Sequence, residues 1–235
     1  MKIKETLKIK ETLFSLYTHA PSPISKRAYA MARTYLYVDR RDSLFDCVFR
    51  AVSESQSAGD YLEFGVFRGT SFINACRLAR KHGLDEMRFF AFDSFEGLPD
   101  WEGVVMRQGA YASSRATFET AICKAGVDLS RVITVEGLYS RSLTEEEKKT
   151  HDLKRAAIVH LDCDLYSSAT EVLRFVEDLM QSGSVLIFDD WYSFRNDPGP
   201  IESMGERKAF REWRLCESFE ELFDETNVSK SFVMK

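Results

Sequence analysis

The sequence has no surplus of positive charge: 32 Lys and Arg face 37 Asp and Glu, a formal net charge of −5. Such a balance offers nothing to grip a nucleic-acid backbone, so nucleic acid is not an expected partner. No uncharged apolar run approaches the roughly 20 residues a membrane helix needs, so no membrane association is expected. The opening residues, MKIKETLKIKETL, alternate charge with Ile and Leu and lack the apolar centre of a secretory signal. No two of the five cysteines (Cys47, Cys76, Cys123, Cys163, Cys216) form a CxxC pair. Buried, reduced thiols in a cytoplasmic protein fit this better than a disulfide framework or a zinc site. No stretch has linker composition. What remains is ordinary soluble composition, 44% hydrophobic and 29% charged over 235 residues. That is enough for one large α/β domain with a proper core.

The stretch from Ala156 to Trp191 organises the rest. A short apolar run, Ala156 to Leu161, ends abruptly in Asp162-Cys163-Asp164. A second, Ser184 to Phe188, ends in Asp189-Asp190. Between them Leu173, Val176, Leu179 and Met180 recur at helical spacing. Strand, helix, strand is a βαβ unit, whose strands pair in parallel. If they are neighbours, up to four carboxylates share the sheet edge where open α/β sheets bind ligands. Like charges so crowded raise their pKa values or recruit a cation.

Upstream, Asp60 to Phe64 reads as a strand running into Gly65-Val-Phe-Arg68-Gly69-Thr70-Ser71 and a helix with Phe72, Ala75, Leu78 and Ala79. Gly65 and Gly69 let the backbone turn tightly and a ligand approach. The helix start at Thr70 and Ser71 would aim its N–H groups at that ligand. The middle Gly of the dinucleotide fingerprint G-x-G-x-x-G is missing, which disfavours an NAD-dependent oxidoreductase. With Glu63 at the strand end, the loop points to another nucleoside-like cofactor. A second strand, Arg88 to Phe92, ends in Asp93, where a ribose diol is commonly held. The alternative is that Asp93 only caps Phe95-Glu96-Gly97. Ser94 opens a long polar loop to about Tyr111, and a third strand, Val132 to Val135, leads into Gly137-Leu138-Tyr139.

The flanks read more simply. KIKETL occurs twice at the start, a local duplication in a charged amphipathic helix that Pro21 and Pro23 end. From Lys26 to about Ser57 the pattern is helical again. Residues 1–57 are expected as an N-terminal helical extension, covering a sheet face or closing as a lid, and residues 58–235 as the globular unit. The run Glu145 to Lys149 reads as a solvated helix face. Ala209, Phe210 and Trp213 begin a helix face. Glu217 to Phe223 and Ser229 to Met234 read as a terminal hairpin, which makes the sheet mixed.

Together LEFGVFRGTS, FDSFEGLP, HLDCDLYSSATEVL and IFDDW resemble the macrocin O-methyltransferase group of class I S-adenosylmethionine-dependent enzymes, which methylate sugar hydroxyls of natural products. The likeness runs in order from about Tyr61 to Trp213. It implies a Rossmann-like, seven-stranded, mostly parallel sheet, S-adenosyl-L-methionine and Mg²⁺ as cofactors, and a homo-oligomer. It implies that Glu63 and Gly65 hold the methionine end of the cofactor and Asp93 its ribose. Arg68, Gly69, Thr70, Ser71, Ser94, Gly137 and Asp162 join them as candidate cofactor-binding residues. Asp162, Asp189 and Asp190 match the metal ligands. The residues after Gly137, Leu138-Tyr139-Ser140-Arg141-Ser142, depart from the family's usual aromatic and acidic-Thr pattern, and the loop from Tyr192 to Gly205 is longer than expected.

Methyl transfer from a sulfonium needs the acceptor placed and its proton removed. A hard divalent cation can bind adjacent hydroxyls and acidify them, and three Asp side chains plus a diol suit Mg²⁺. Asp162 is the expected ligand and proton acceptor, with Asp189 and Asp190 completing the site. Asp164 is read either as a further ligand or as a helix cap, and His160 as a packed imidazole. Trp191, Tyr192 and Tyr139 could stack on an acceptor, but aromatics near a sheet edge are more often core. The rivals are a metal-dependent catechol or phenol O-methyltransferase and a non-catalytic cofactor-binding protein.

Overall fold

The computed structural model describes residues 41–103, 106–194, 203–224 and 229–235. The KIKETL repeat, most of the expected extension and residues 195–202 of the loop from Tyr192 to Gly205 lie outside the described residues. The chain divides into compact units at Met1–Ser43 and Leu44–Lys235, so residues 44–55 belong to the larger one.

Residues 41–55 are helical (α1). There follow β1 (Asp60–Phe64), α2 (Thr70–Lys81), β2 (Phe89–Asp93), α3 (Arg115–Lys124), β3 (Val132–Glu136), α4 (Tyr139–Ser142) and α5 (Glu145–Thr150). Then come β4 (Ala156–Leu161), α6 (Tyr166–Val176), β5 (Val185–Phe188), α7 (Gly205–Glu212), β6 (Phe219–Phe223) and β7 (Lys230–Met234). The seven strands form one sheet in the order β3-β2-β1-β4-β5-β7-β6. β1 to β5 are parallel, and the terminal hairpin adds β7 antiparallel to β5.

The central strands are buried along their whole length, as expected for parallel strands covered on both faces. Alternation divides their side chains between two cores. Tyr61, Phe89, Ala91, Ile158 and Ile187 pack with Leu44, Phe45, Val48 and Phe49 of α1 and Phe72 of α2. Leu62, Phe64, Phe90, Phe92, Val159 and Leu161 face Val172, Leu173 and Val176 of α6 and Phe210 of α7. The apolar spacing that extends a helix to Met180 is cut short. α6 ends at Val176, and the Leu179 carbonyl accepts the Ala156 N–H instead.

Two expectations need correction. Lys148, in the run read as solvated, is buried: its ammonium bonds Asp178 (2.5 Å) and Glu145 (2.8 Å) and lies over the Phe175 ring. Of the five cysteines only Cys163 is buried, and Cys123 is exposed; all are unpaired thiols. Among the described residues, no helix is long and apolar enough to cross a membrane.

The strand ends are in step. The N–H of Gly65 bonds the Phe92 carbonyl, that of Asp162 the Phe64 carbonyl, and that of Asp189 the Leu161 carbonyl, each at 2.9 Å. Gly137 reaches Asp93 in the same way at 3.0 Å. These residues therefore share one edge of the sheet. The approach is close: a Cβ on Gly65, at φ +92°, would lie 1.9 Å from the Asp162 carbonyl oxygen. Gly65→Ala should therefore cost at least ~2 kcal/mol and lower Tm by roughly 4–8 °C, since both the backbone conformation and the overlap oppose it. An unchanged melting curve would show that the two strand ends can separate freely.

Candidate active site

The first half of the edge is the glycine loop. Gly69 occupies the N-cap of α2 with φ +82°, and no side chain caps the helix. Thr70 and Ser71 thus leave the first N–H groups to other partners. Glu63 is fully buried, and its carboxylate accepts from the Tyr61 hydroxyl and the Ser71 hydroxyl, both at 2.5 Å. Ser71 is thereby turned toward Glu63. Asp93 accepts the N–H groups of Val66 (2.8 Å) and Phe67 (3.0 Å) on one oxygen and that of Phe95 (2.7 Å) on the other. It both caps the following turn and fixes the glycine loop. A carboxylate oxygen offers two lone pairs, so the oxygen holding only Phe95 keeps an acceptor site. Ser94 builds the same turn, donating to the Gly97 carbonyl (3.2 Å) and accepting from the Glu96 N–H (3.1 Å). Arg68 is exposed, its guanidinium 5.0 Å from the Phe67 ring centre. Gly137 is bridged by the Ser142 hydroxyl at 3.2 Å.

The second half is acidic. Asp162, Asp189 and Asp190 each bring one carboxylate oxygen within 4.8 Å of the others. Glu63, His160 and Asp162 meet the same distance limit, but the Glu63 carboxylate is already taken by two hydroxyls. The three aspartates are therefore the better set for a hard cation. Asp164 is nine-tenths buried and left-handed, with φ +62°. It does not cap α6, whose N-cap is Leu165 without a side-chain bond. Instead its carboxyl hydrogen-bonds that of Asp190. Burial, then the field of Asp162, pushes the Asp164 carboxyl up to about 7. Burial, then Asp164 and Asp189, raises Asp190 well above the usual carboxylate range. Ser193 donates to Asp190, and Ser229 donates to Asp189 at 3.0 Å.

His160 joins the halves. Its Nδ1 lies 3.3 Å from the Tyr61 hydroxyl and 3.6 Å from Glu63. Its Nε2 makes no hydrogen bond and stands 3.8 Å from Asp189, an ion-pair contact. Phe45 of α1 packs edge-on against the ring. Burial works against the charged ring, but Asp189 and Glu63 outweigh it and raise its pKa to about 10. The packed imidazole thus lies buried between two carboxylates that favour its protonated form.

A model of the macrocin-O-methyltransferase (TylF) family matches residues 23–213. The chain belongs to that family. Among curated relatives, a Streptomyces olivaceus 8-demethyl-8-(2,3-dimethoxy-alpha-L-rhamnosyl)-tetracenomycin-C 4'-O-methyltransferase is 28% identical over 176 residues, 69% of this chain and 64% of its own length. The Micromonospora griseorubida mycinamicin III 3''-O-methyltransferase is 24% identical over 173 residues, 68% of this chain and 66% of its own. The chain thus matches just under two thirds of each relative's length. The calicheamicin methyltransferase CalS11 shares the fold, with a TM-score of 0.68 at 20% identity over 97% of this chain and 92% of its own.

In this macrocin O-methyltransferase family member, sequence reasoning missed three residues of the site. Glu206, in the first turn of α7, is fully buried against the acidic cluster. Burial, then Asp190, raises its carboxyl well above the usual range. Glu102, in the loop after β2, accepts the N–H groups of Tyr166 (2.5 Å) and Gly205 (2.8 Å). Tyr111 is 57% exposed at φ +59°, yet its hydroxyl is raised by burial and by Asp164, Asp190 and Asp162. Its ring meets that of Phe67 edge-on at 6.3 Å. An acid in a charged helix, an acid in a loop and one exposed tyrosine carry no sequence signal. The three aromatics expected as core are so placed: Trp191 is in the core, and Tyr139 and Tyr192 pack against it, the Tyr192 hydroxyl also bonding Asp224 at 2.7 Å.

The His160 pKa rises from 6.5 to about 10 on folding. Its stabilisation is complete below the unfolded value and fades as pH climbs through the folded one. In EDTA, the wild-type Tm should therefore fall between about pH 7 and 10, and His160→Asn should start lower and flatten that decline. Parallel pH profiles would show that the ring carries no charge.

Proposed function

We propose that the chain transfers the methyl group of S-adenosyl-L-methionine to a hydroxyl of a small natural product, a sugar hydroxyl by preference, with Mg²⁺ assisting. One observation carries the reading: a glycine loop fixed by an acid at the end of β2 and a hard-ligand carboxylate set occupy the same sheet edge. The first suits a nucleoside donor, the second a diol.

Asp93 would take the ribose on its remaining acceptor site. The glycine loop and the start of α2 would seat the methionine end beside Gly65. Asp162, Asp189 and Asp190 would hold Mg²⁺, and their donor chemistry fits it: all oxygen, closely spaced, partly buried. When bound, the ion supplies Lewis-acid polarisation of the acceptor hydroxyl and the sulfonium supplies an activated methyl group. The chain's own tasks are then to orient the hydroxyl in line with the donor and to receive its proton. Asp162 would receive it. Asp164 is the second candidate, because its left-handed backbone turns its carboxyl into the cluster and onto Asp190. Tyr111 and Phe67 would flank the acceptor's non-reacting part. The relative named for a rhamnosyl-tetracenomycin supports a glycoside.

Calorimetric titration with S-adenosylhomocysteine should give binding with or without Mg²⁺, and no heat in either case would sink the donor assignment. Asp162→Asn should abolish turnover, a loss on the order of 10²–10⁴-fold, while S-adenosylhomocysteine affinity stays within about twofold. If Asp164→Asn alone stops turnover and Asp162→Asn survives, the proton acceptor is Asp164. A panel of deoxysugar glycosides and catechols separates the sugar reading from the phenolic one.

A further inference from the structure

The two acidic strand ends belong to different strands, and their separation decides whether three carboxylates can share one ion. β4 and β5 are hydrogen-bonded only as far as Leu161 and Asp189. Beyond that point the backbone of each turns away, and Cys163 and Asp190 offer N–H groups that no strand neighbour accepts. One side chain accepts both. Glu206 takes the Cys163 N–H on Oε1 at 3.2 Å and the Asp190 N–H on Oε2 at 3.1 Å. Its carboxylate spans the gap between the residue after Asp162 and Asp190 itself.

The helix that carries Glu206 is itself held in place. Gly205 has φ +58°, and a Cβ there would lie 2.4 Å from the Phe194 ring and 3.2 Å from the Asp164 carbonyl oxygen. The Gly205 N–H goes to Glu102, whose other oxygen accepts the Tyr166 N–H at the start of α6. Adjacent residues of α7 thus connect the loop after β2, the start of α6 and both acidic strand ends. A carboxyl buried beside several others is a costly way to satisfy two amides. A glutamine of the same shape would serve one of them, because its NH₂ is a donor. The two-sided acceptor is what the position needs.

We propose that Glu206 is the positioning residue that fixes the spacing of the Asp162 and Asp189–Asp190 strand ends, and so the geometry in which they take a divalent cation. This rests on the proposed metal site. The test uses the full-length protein and Mn²⁺, a paramagnetic ion with the same preference for oxygen ligands. Glu206→Gln should weaken Mn²⁺ binding, read by electron paramagnetic resonance, about tenfold or more. It should lower kcat by a similar factor, change the acceptor KM much less, and leave S-adenosylhomocysteine affinity within about twofold. Wild-type Mn²⁺ affinity and kcat in the variant would overturn the proposal. So would equal losses in Mn²⁺ and S-adenosylhomocysteine binding, which mark a general loss of structure. If Glu206→Gln does not fold, Glu102→Gln decides: it loosens α7 without touching the carboxylates and should weaken Mn²⁺ about two- to fivefold. Unchanged affinity there would refute the positioning role. A wild type that takes up no Mn²⁺ overturns the metal reading itself, and this inference with it.

Discussion

The constraint on which the structure depends is electrostatic. Two adjacent parallel strands, β4 and β5, end in acids at the same height, and helices pack over the residues beyond those ends. Asp162, Asp164, Asp189, Asp190 and Glu206 crowd one place, with His160 in ion-pair contact with Asp189. Like charges in a poorly solvated site stay together only if something answers them. Here backbone amides answer Glu206, hydroxyls answer Asp189 and Asp190, a shared hydrogen bond answers Asp164, and an imidazole answers Asp189 from behind. Much of the polar wiring at this edge arises from that demand. A cation at the open face would complete it.

The sheet was legible because its physics is local. Runs such as YLEF, FFAF, AAIVHL and VLIF bury both faces, so they read as short apolar segments, and each stops at Gly or Asp where the backbone leaves the sheet. Parallel pairing then forces those stops into a row. Glu63, Gly65, Asp93, Asp162, Asp189 and Asp190 could thus be brought to one edge by residue order and spacing, as could the antiparallel hairpin.

What was not legible depends on long-range partners. Glu206 sits in GERKAFRE, a stretch as charged as any surface helix, and only the packing of α7 across the strand ends turns it inward. Lys148 is hidden in EEEKK for the same reason. Asp164 precedes a helix and looks like a cap, but its left-handed backbone faces the other way. Glu63 and Asp93 show a subtler failure. Their position at the edge could be read, but not that neighbouring hydroxyls and amides already engage them. Residue type and spacing locate a carboxylate; they do not say how many of its lone pairs are spoken for.

Asp93 carries a consequence for the glycine loop. Its carboxylate holds the Val66 and Phe67 amides and the turn at Phe95 together. A loop rich in glycine has the most freedom to lose on binding, and here that freedom is surrendered during folding. A nucleoside bound there, as proposed, would meet a loop that is already shaped, and its binding energy need not be spent on ordering the chain. The residue expected to hold the ligand is also the one that fixes the shape of the loop.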